Sequence, residues 1–224
     1  MSEFLVKILQ VGALGTNCSL LVNRETGEAV IVDPGDEAKR ILSELSALGA
    51  RPTAILLTHA HHDHTMAIEE LLELCGPLPV AACEKEREMF EDRNLNCSTH
   101  GGRAADFMPD TWVADGDRIS YAGARLRVLE TPGHTAGSVC FYIDQPATLL
   151  YFGEEIDTSF LLFAGDTLFY RSYGRTDFPT SSEEAMWSSL KRLLTELPEE
   201  TVVIPGHGQL TLIGYERKVK GIQR

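Results

Sequence analysis

Apolar and polar residues recur along this chain with two periods, and the switches between them lay out the elements. Residues 4–11, 18–22 and 28–32 read as strands, and the third stops at Asp33-Pro34-Gly35, a strong turn signal. Ile41, Leu42, Leu45 and Leu48 then recur at helical spacing. Residues 54–57 are a short apolar run that predicts a buried strand and leads straight into Thr58-His59. A helix is predicted over 66–74, a strand over 80–82 and a charged helix over 84–91. The stretch 94–111 holds Gly-Gly, Pro and few periodic apolar residues, which predicts a loop or a short irregular insertion.

Strands follow over 118–121, 126–130, 138–143, 148–152 and 159–163, and residues 153–157 read as a hairpin connection between the last two. Ser181-Ser182-Glu183-Glu184 carries a capping-box signature and opens a long helix. Met186, Leu190, Leu193, Leu194 and Leu197 form its buried stripe, and Pro198 ends it. Residues 201–204 predict a last strand that delivers Pro205-Gly206-His207-Gly208. Interleaved strands and helices place the chain in the α/β class. With no repeat, low-complexity tract or linker, one domain over 1–224 is expected.

Composition narrows the function. Hydrophobic residues make up 43% and charged residues 24%, which excludes wholesale disorder. No run approaches the ~20 apolar residues of a membrane span. Residues 1–12 lack the basic start and apolar core of a signal peptide, so none is expected. The net charge of -13 repels phosphate backbones. Neither a membrane nor nucleic acid is an expected partner; a small molecule is. The five cysteines, at 18, 75, 83, 97 and 140, are odd in number and form no CxxC pair. Reduced thiols in a cytoplasmic protein are the expectation.

The candidate chemistry is concentrated in Thr58-His59-Ala60-His61-His62-Asp63-His64, which holds four of the seven histidines. Imidazole and carboxylate are ligands that Zn, Fe and Mn accept. Residues two apart in an extended segment face the same way, so His59 and His61 can serve one ion while Asp63 turns toward a second. His134, Asp166 and His207 each stand beside glycine at the exit of an apolar run. Ligands at one end of several strands can converge on a single cleft.

The series THxHxDH, GHT, GDT and GHG resembles the metallo-β-lactamase superfamily, and within it the short glyoxalase II-like (hydroxyacylglutathione hydrolase-like) hydrolases. The resemblance implies an αββα sandwich, with two mixed sheets face to face and helices outside. It gives His59, His61 and His134 to a first metal, Asp63, His64 and His207 to a second, and Asp166 to both. Two divalent ions are implied, zinc foremost, with iron or manganese as alternatives. Asp63 and Asp166 are the candidate catalytic residues. The implied reaction is hydrolysis of a thioester, an acyl-glutathione or the ester of a related thiol, by metal-bound hydroxide. His62 falls at a variable position and His100 in no motif, so neither is an expected ligand. Asp33 is expected to support a ligand from behind.

Alternatives remain on the same fold. Asp166 stands where the lactam-cleaving branches have Cys or Ser, and His61 where the diiron flavoproteins have Glu. A mononuclear-iron persulfide dioxygenase shares the Gly174-Arg175-Thr176-Asp177-Phe178 run, whereas Thr211-Leu212-Ile213-Gly214 matches the short hydrolases. A metal-binding module without catalysis is the non-enzymatic alternative. Tyr173 and Arg175 are the candidate substrate contacts, with an ion pair to Asp177 as the other role open to Arg175. Full-length glyoxalase II enzymes hold glutathione with a Lys, a Tyr and a C-terminal helical domain. No such domain is expected within 224 residues, which leaves the thiol open.

Overall fold

The computed structural model describes residues 2–100 and 107–222. The first six strands are β1 (Phe4–Val11), β2 (Thr16–Asn23), β3 (Glu28–Val32), β4 (Arg51–Leu56), β5 (Val80–Cys83) and β6 (Thr111–Val113). Then come β7 (Arg118–Tyr121), β8 (Ala124–Glu130), β9 (Val139–Ile143), β10 (Ala147–Tyr151) and β11 (Glu154–Thr158). The last five are β12 (Leu161–Gly165), β13 (Leu168–Phe169), β14 (Ser172–Tyr173), β15 (Val202–Pro205) and β16 (Thr211–Leu212). The helices are α1 (Ala38–Ala47), α2 (Ile68–Cys75), α3 (Arg87–Glu91), α4 (Glu183–Glu196) and α5 (Ile213–Val219).

Eight strands form one mixed sheet in the order β11-β10-β1-β2-β3-β4-β5-β6, and six form the other, β16-β15-β12-β9-β8-β7. Strand alternation sorts the apolar side chains between faces. Phe4, Val6, Val30 and Leu56 of the first sheet meet Val128, Phe141, Phe163 and Ile204 of the second in a central core. The opposite face of the first sheet packs Leu20, Ile31 and Ile55 against Ile41 and Leu45 of α1 and Ile68 and Leu71 of α2. The opposite face of the second packs Leu129, Leu162 and Val203 against Met186, Leu190 and Leu194 of α4. These layers are the expected αββα sandwich. Burial of this apolar surface is the main stabilising term, at roughly 25 cal/mol per Å2.

Several elements depart from the sequence pattern for identifiable reasons. Residues 154–158 are strand β11 and not a connection, because the reversal is completed by Phe152 and Gly153 alone, at φ 48 and 84. Two consecutive positive φ values make the tight turn that suits the strand twist. The helix expected over 84–91 is split into a 3-10 turn at Glu84–Glu86 and α3. The split falls at Glu86, whose carboxylate is drawn inside by two backbone amides. The helix expected from 66 starts at Ile68, because Thr65 and Met66 close hydrogen bonds back to the His62 carbonyl and Ala67 to that of Pro34. The cap of α4 is Ser182, which accepts from Ala185 N at 3.2 Å. Ser181 is engaged elsewhere, so the capping box with Glu184 does not form. The 94–111 stretch ends in the first residue of β6, and its residues 101–106 lie outside those described, as does the His100 side chain.

Candidate metal centre

Strands β8, β12 and β15 run in the same direction, since β12 is parallel to β15 and both β8 and β12 are antiparallel to β9. Their C-terminal ends therefore share one edge of the second sheet. His134, Asp166 and His207 follow those ends. The loop after β4 reaches the same edge from the first sheet, and Val139 N donates to Thr58 O there at 2.8 Å.

Four of the imidazoles, those of His59, His64, His134 and His207, are fixed from behind by a hydrogen bond. Thr58 gives its hydroxyl proton to Asp33 Oδ2 at 2.7 Å, so its oxygen is left to accept from His59 Nδ1 at 3.1 Å. His134 Nδ1 donates to Arg175 O at 2.9 Å, and His207 Nδ1 donates to Leu14 O at 3.1 Å. His64 Nδ1 lies 3.1 Å from Asp33 Oδ2. In all four rings Nδ1 is occupied and Nε2 points inward. Backing of this kind, by carboxylate, hydroxyl or carbonyl, sets the tautomer that presents a lone pair to a metal.

The inward atoms converge. Among the described residues, His59, His61 and His134 bring three ligand atoms within 4.8 Å of one another. Asp63, His64 and His207 do the same, and so do His59, His64 and Asp166. His61 differs from the other rings by presenting Nδ1, 2.9 Å from His134 Nε2. Asp166 stands between the groups: Oδ1 lies 3.5 Å from His64 Nε2, and Oδ2 lies 3.5 Å from His134 Nε2 and 3.6 Å from His207 Nε2. Asp63 Oδ2 lies 3.2 Å from His207 Nε2 and accepts from the Thr16 hydroxyl.

These side chains suit a metal centre. His59 Nε2, His64 Nε2 and Asp166 Oδ1 are buried and have no hydrogen-bond partner. Leaving such atoms unpaired costs roughly 1–3 kcal/mol each, so a dense set of them at one point is explained by a cation that all can share. Electrostatics agrees. Burial, with the neighbouring imidazoles, depresses His59 well below the ordinary range and brings His61 down to about 3. Both rings are therefore neutral ligands at physiological pH. Burial works to raise the pKa of Asp63 and of Asp166, but the surrounding histidines outweigh it and keep both ionised. His64 is raised well above its ordinary value: burial opposes its charge, and Asp63 and Asp33 prevail.

Close approach is built in at Gly206. A Cβ there would sit 2.1 Å from Asp166 Oδ1 and 2.8 Å from His64 Cε1. Asn17, on β2 of the other sheet, holds the same loop. Its backbone N donates to Gly206 O at 2.7 Å, and its side-chain amide donates to the carbonyls of Pro205 and Gly208. Ser181 donates to His134 O at 2.6 Å. Asn17, Thr16, Ser181 and Glu86 all support the centre and none was marked by the sequence. Ser181 alone stood in a motif, and its role there was read as a helix cap.

The remaining candidates separate. His62 belongs to none of the three groups and lines a cleft of about 800 Å3 beside Asp63. Arg175 lines that cleft too, with its guanidinium bonded to Asp177. Tyr173 does not line it; its ring packs against Trp187 of α4, 5.3 Å between centroids. The reason is register. Tyr173 pairs with Leu168 in the small β13–β14 ladder and faces the α4 layer.

Comparison with known proteins gives the same family as the motifs. Residues 11–207 match a sequence model for the metallo-β-lactamase superfamily. The chain is 33% identical over 215 residues to the hydroxyacylglutathione hydrolase GloC of Haemophilus influenzae, covering 95% of each. It superposes on the crystal structure of the BLEG-1 B3 metallo-β-lactamase with a TM-score of 0.82 at 34% identity, covering 95% of this chain and 96% of that one. The structure of TTHA1623 in a di-iron-bound form gives a TM-score of 0.78, also at 34% identity, with 95% and 97% covered.

Proposed function

Since this chain belongs to the metallo-β-lactamase superfamily, we propose that it is a dinuclear-metal hydrolase and that its substrates are thioesters. The observation that carries the proposal is the meeting of two donor triads, His59–His61–His134 and Asp63–His64–His207, on either side of Asp166. Each triad would hold one divalent ion, and the Asp166 carboxylate would hold both. The two ions, when bound, supply an acidified water and a Lewis acid for an acyl oxygen. Zinc is the proposed metal because imidazole predominates among the donors. Iron is the alternative, supported by the di-iron form of a structural relative.

The protein's own side chains provide the rest. Asp63 lines the cleft and stays ionised, so it can accept a hydrogen bond from the attacking water and orient it. The Thr16 hydroxyl, donated to Asp63 Oδ2 at 3.2 Å, fixes that carboxylate. Leu14, Met66 and Phe178 supply apolar walls for the substrate. No cysteine nucleophile is required. The thioester assignment draws on the relationship to a hydroxyacylglutathione hydrolase.

The test is a substrate panel run on protein whose metals have been counted. It should contain acyl-glutathione, an acyl ester of a small neutral thiol, a β-lactam and a persulfide. Metal-dependent release of thiol from the esters is the expected result. Turnover of the lactam with no thioester cleaved would replace the substrate class. Oxygen uptake on the persulfide with one iron per chain would replace the reaction.

A further inference from the structure

Two members of the second donor triad are held from one short stretch of chain, residues 14–16. Leu14 O accepts from His207 Nδ1 at 3.1 Å, and the Thr16 hydroxyl donates to Asp63 Oδ2 at 3.2 Å. Thr16 also forms an isolated antiparallel bridge with His207, so the backbone there runs beside the triad. The stretch leaves the turn between β1 and β2. Gly12 and Gly15 adopt φ values of 68 and 64 in that turn, and the Gly15 amide closes it on Gly12 O at 3.2 Å. Glycine takes up this left-handed backbone without strain, which sets Leu14 inside the reversal.

The Leu14 side chain has a second outlook. It lines the cleft with Val11, Met66 and Phe178, and it is 61% exposed. Scattered exposed leucines are ordinary on protein surfaces. This one faces a concavity that has other apolar walls and also contains Asp63. An apolar group seated there would cover Leu14 and take its surface out of water. One residue therefore meets substrate with its side chain and holds a metal ligand with its carbonyl.

Linkage follows from that double role. Fixing the backbone of a turn costs conformational entropy. With His207 Nε2 engaged by an ion, the imidazole is oriented, and through its Nδ1–H the Leu14 carbonyl is oriented with it. An apolar group resting on the Leu14 side chain fixes the same backbone. Whichever binds second finds the turn already ordered, so each strengthens the other by the same factor.

We propose that Leu14 contacts the apolar part of the thioester and, as a positioning residue, couples its binding to that of the ion held by Asp63, His64 and His207. The proposal rests on the dinuclear hydrolase reading of the centre.

The probe is S-butyl-N-acetylcysteamine, a non-hydrolysable thioether. Stepwise zinc affinities are measured by chelator competition with and without saturating thioether. One of the two should tighten about fivefold, the low end of ordinary coupling, and the other should stay unchanged. Calorimetry should show the thioether binding the two-zinc protein more tightly than the one-zinc protein by the same factor. Leu14→Ala keeps the carbonyl and removes an exposed side chain, so the fold should tolerate it. Its zinc affinities without thioether should equal those of wild type, and the shift should vanish. Leu14→Met should retain the shift, and His207→Ala should lose it. Unmoved zinc affinities in wild type, a thioether that does not bind, or a shift that survives Leu14→Ala or His207→Ala would overturn the proposal. Fewer than two ions per wild-type chain in saturating zinc would instead refute the dinuclear reading on which it rests.

Discussion

Glu86 accepts the amide proton of Gly137 at 2.8 Å, and with its other oxygen it accepts that of Ala60, also at 2.8 Å. One fully buried carboxylate thus ties the loop of His59 and His61 to the loop of His134. The contact requires glycine at 137, because a Cβ there would lie 2.7 Å from Glu86 Oε1. Burial pushes the Glu86 pKa up, while the two amides and the Thr135 hydroxyl act against it. Glu86→Gln would turn an amide group toward one of those N–H donors and leave it unpaired. Stability should fall by roughly 1–3 kcal/mol, read from denaturant melts with and without metal. A melt equal to wild type would show that the tie contributes nothing.

Thr58 couples Asp33 to His59 through a single oxygen. Thr58→Val keeps the shape and removes that oxygen, so the Nδ1 proton of His59 loses its acceptor. Metal affinity should drop roughly 10- to 100-fold in chelator competition, and Thr58→Ser should restore most of it. Wild-type affinity in the valine variant would mean that His59 does not depend on this backing.

Gly206→Ala tests the packing of the centre. The added methyl would overlap Asp166 and His64, both held by the surrounding sheet edge. Circular dichroism should remain native while metal content falls well below that of wild type. A fully loaded, active alanine variant would contradict the geometry.

The thiols should be dispensable. Burial raises the pKa of all five cysteines, with Cys83 and Cys140 pushed up to about 11, so thiolate is scarce near neutrality. Cys97 lines the cleft and is the most stringent case. Single Cys→Ser variants should keep the rate per folded, metal-loaded molecule. Loss of rate at normal metal content in Cys97→Ser would indicate a thiol in the reaction.

Much of this centre was legible in the sequence because its ligands are chemically conspicuous. Histidines and aspartates beside glycine, each at the exit of an apolar run, mark where strands end together. The sandwich was legible for a similar reason: Leu190, Leu193 and Leu194 recur at the spacing of a helix stripe, and 28–32 is a short apolar run closed by a turn signal. Glu86 was not legible, since a glutamate in a charged helical pattern reads as surface until two distant amides are seen to claim it. Asn17 gives no local signal, because its partners lie 188 and 191 residues away in sequence. Helix α5 was hidden by Gly214 at its second position. The role of Arg175 was open between two readings, and the side-chain bonds to Asp177 decide which partner it has in the free protein.

The most direct measurement is a metal count paired with a rate on Asp166→Ala. The wild-type protein should carry close to two divalent ions per chain and cleave a thioester. Removing the carboxylate that stands between the triads should lower the count and abolish cleavage together. An Asp166→Ala protein that keeps full thioesterase activity would contradict a dinuclear mechanism at this site.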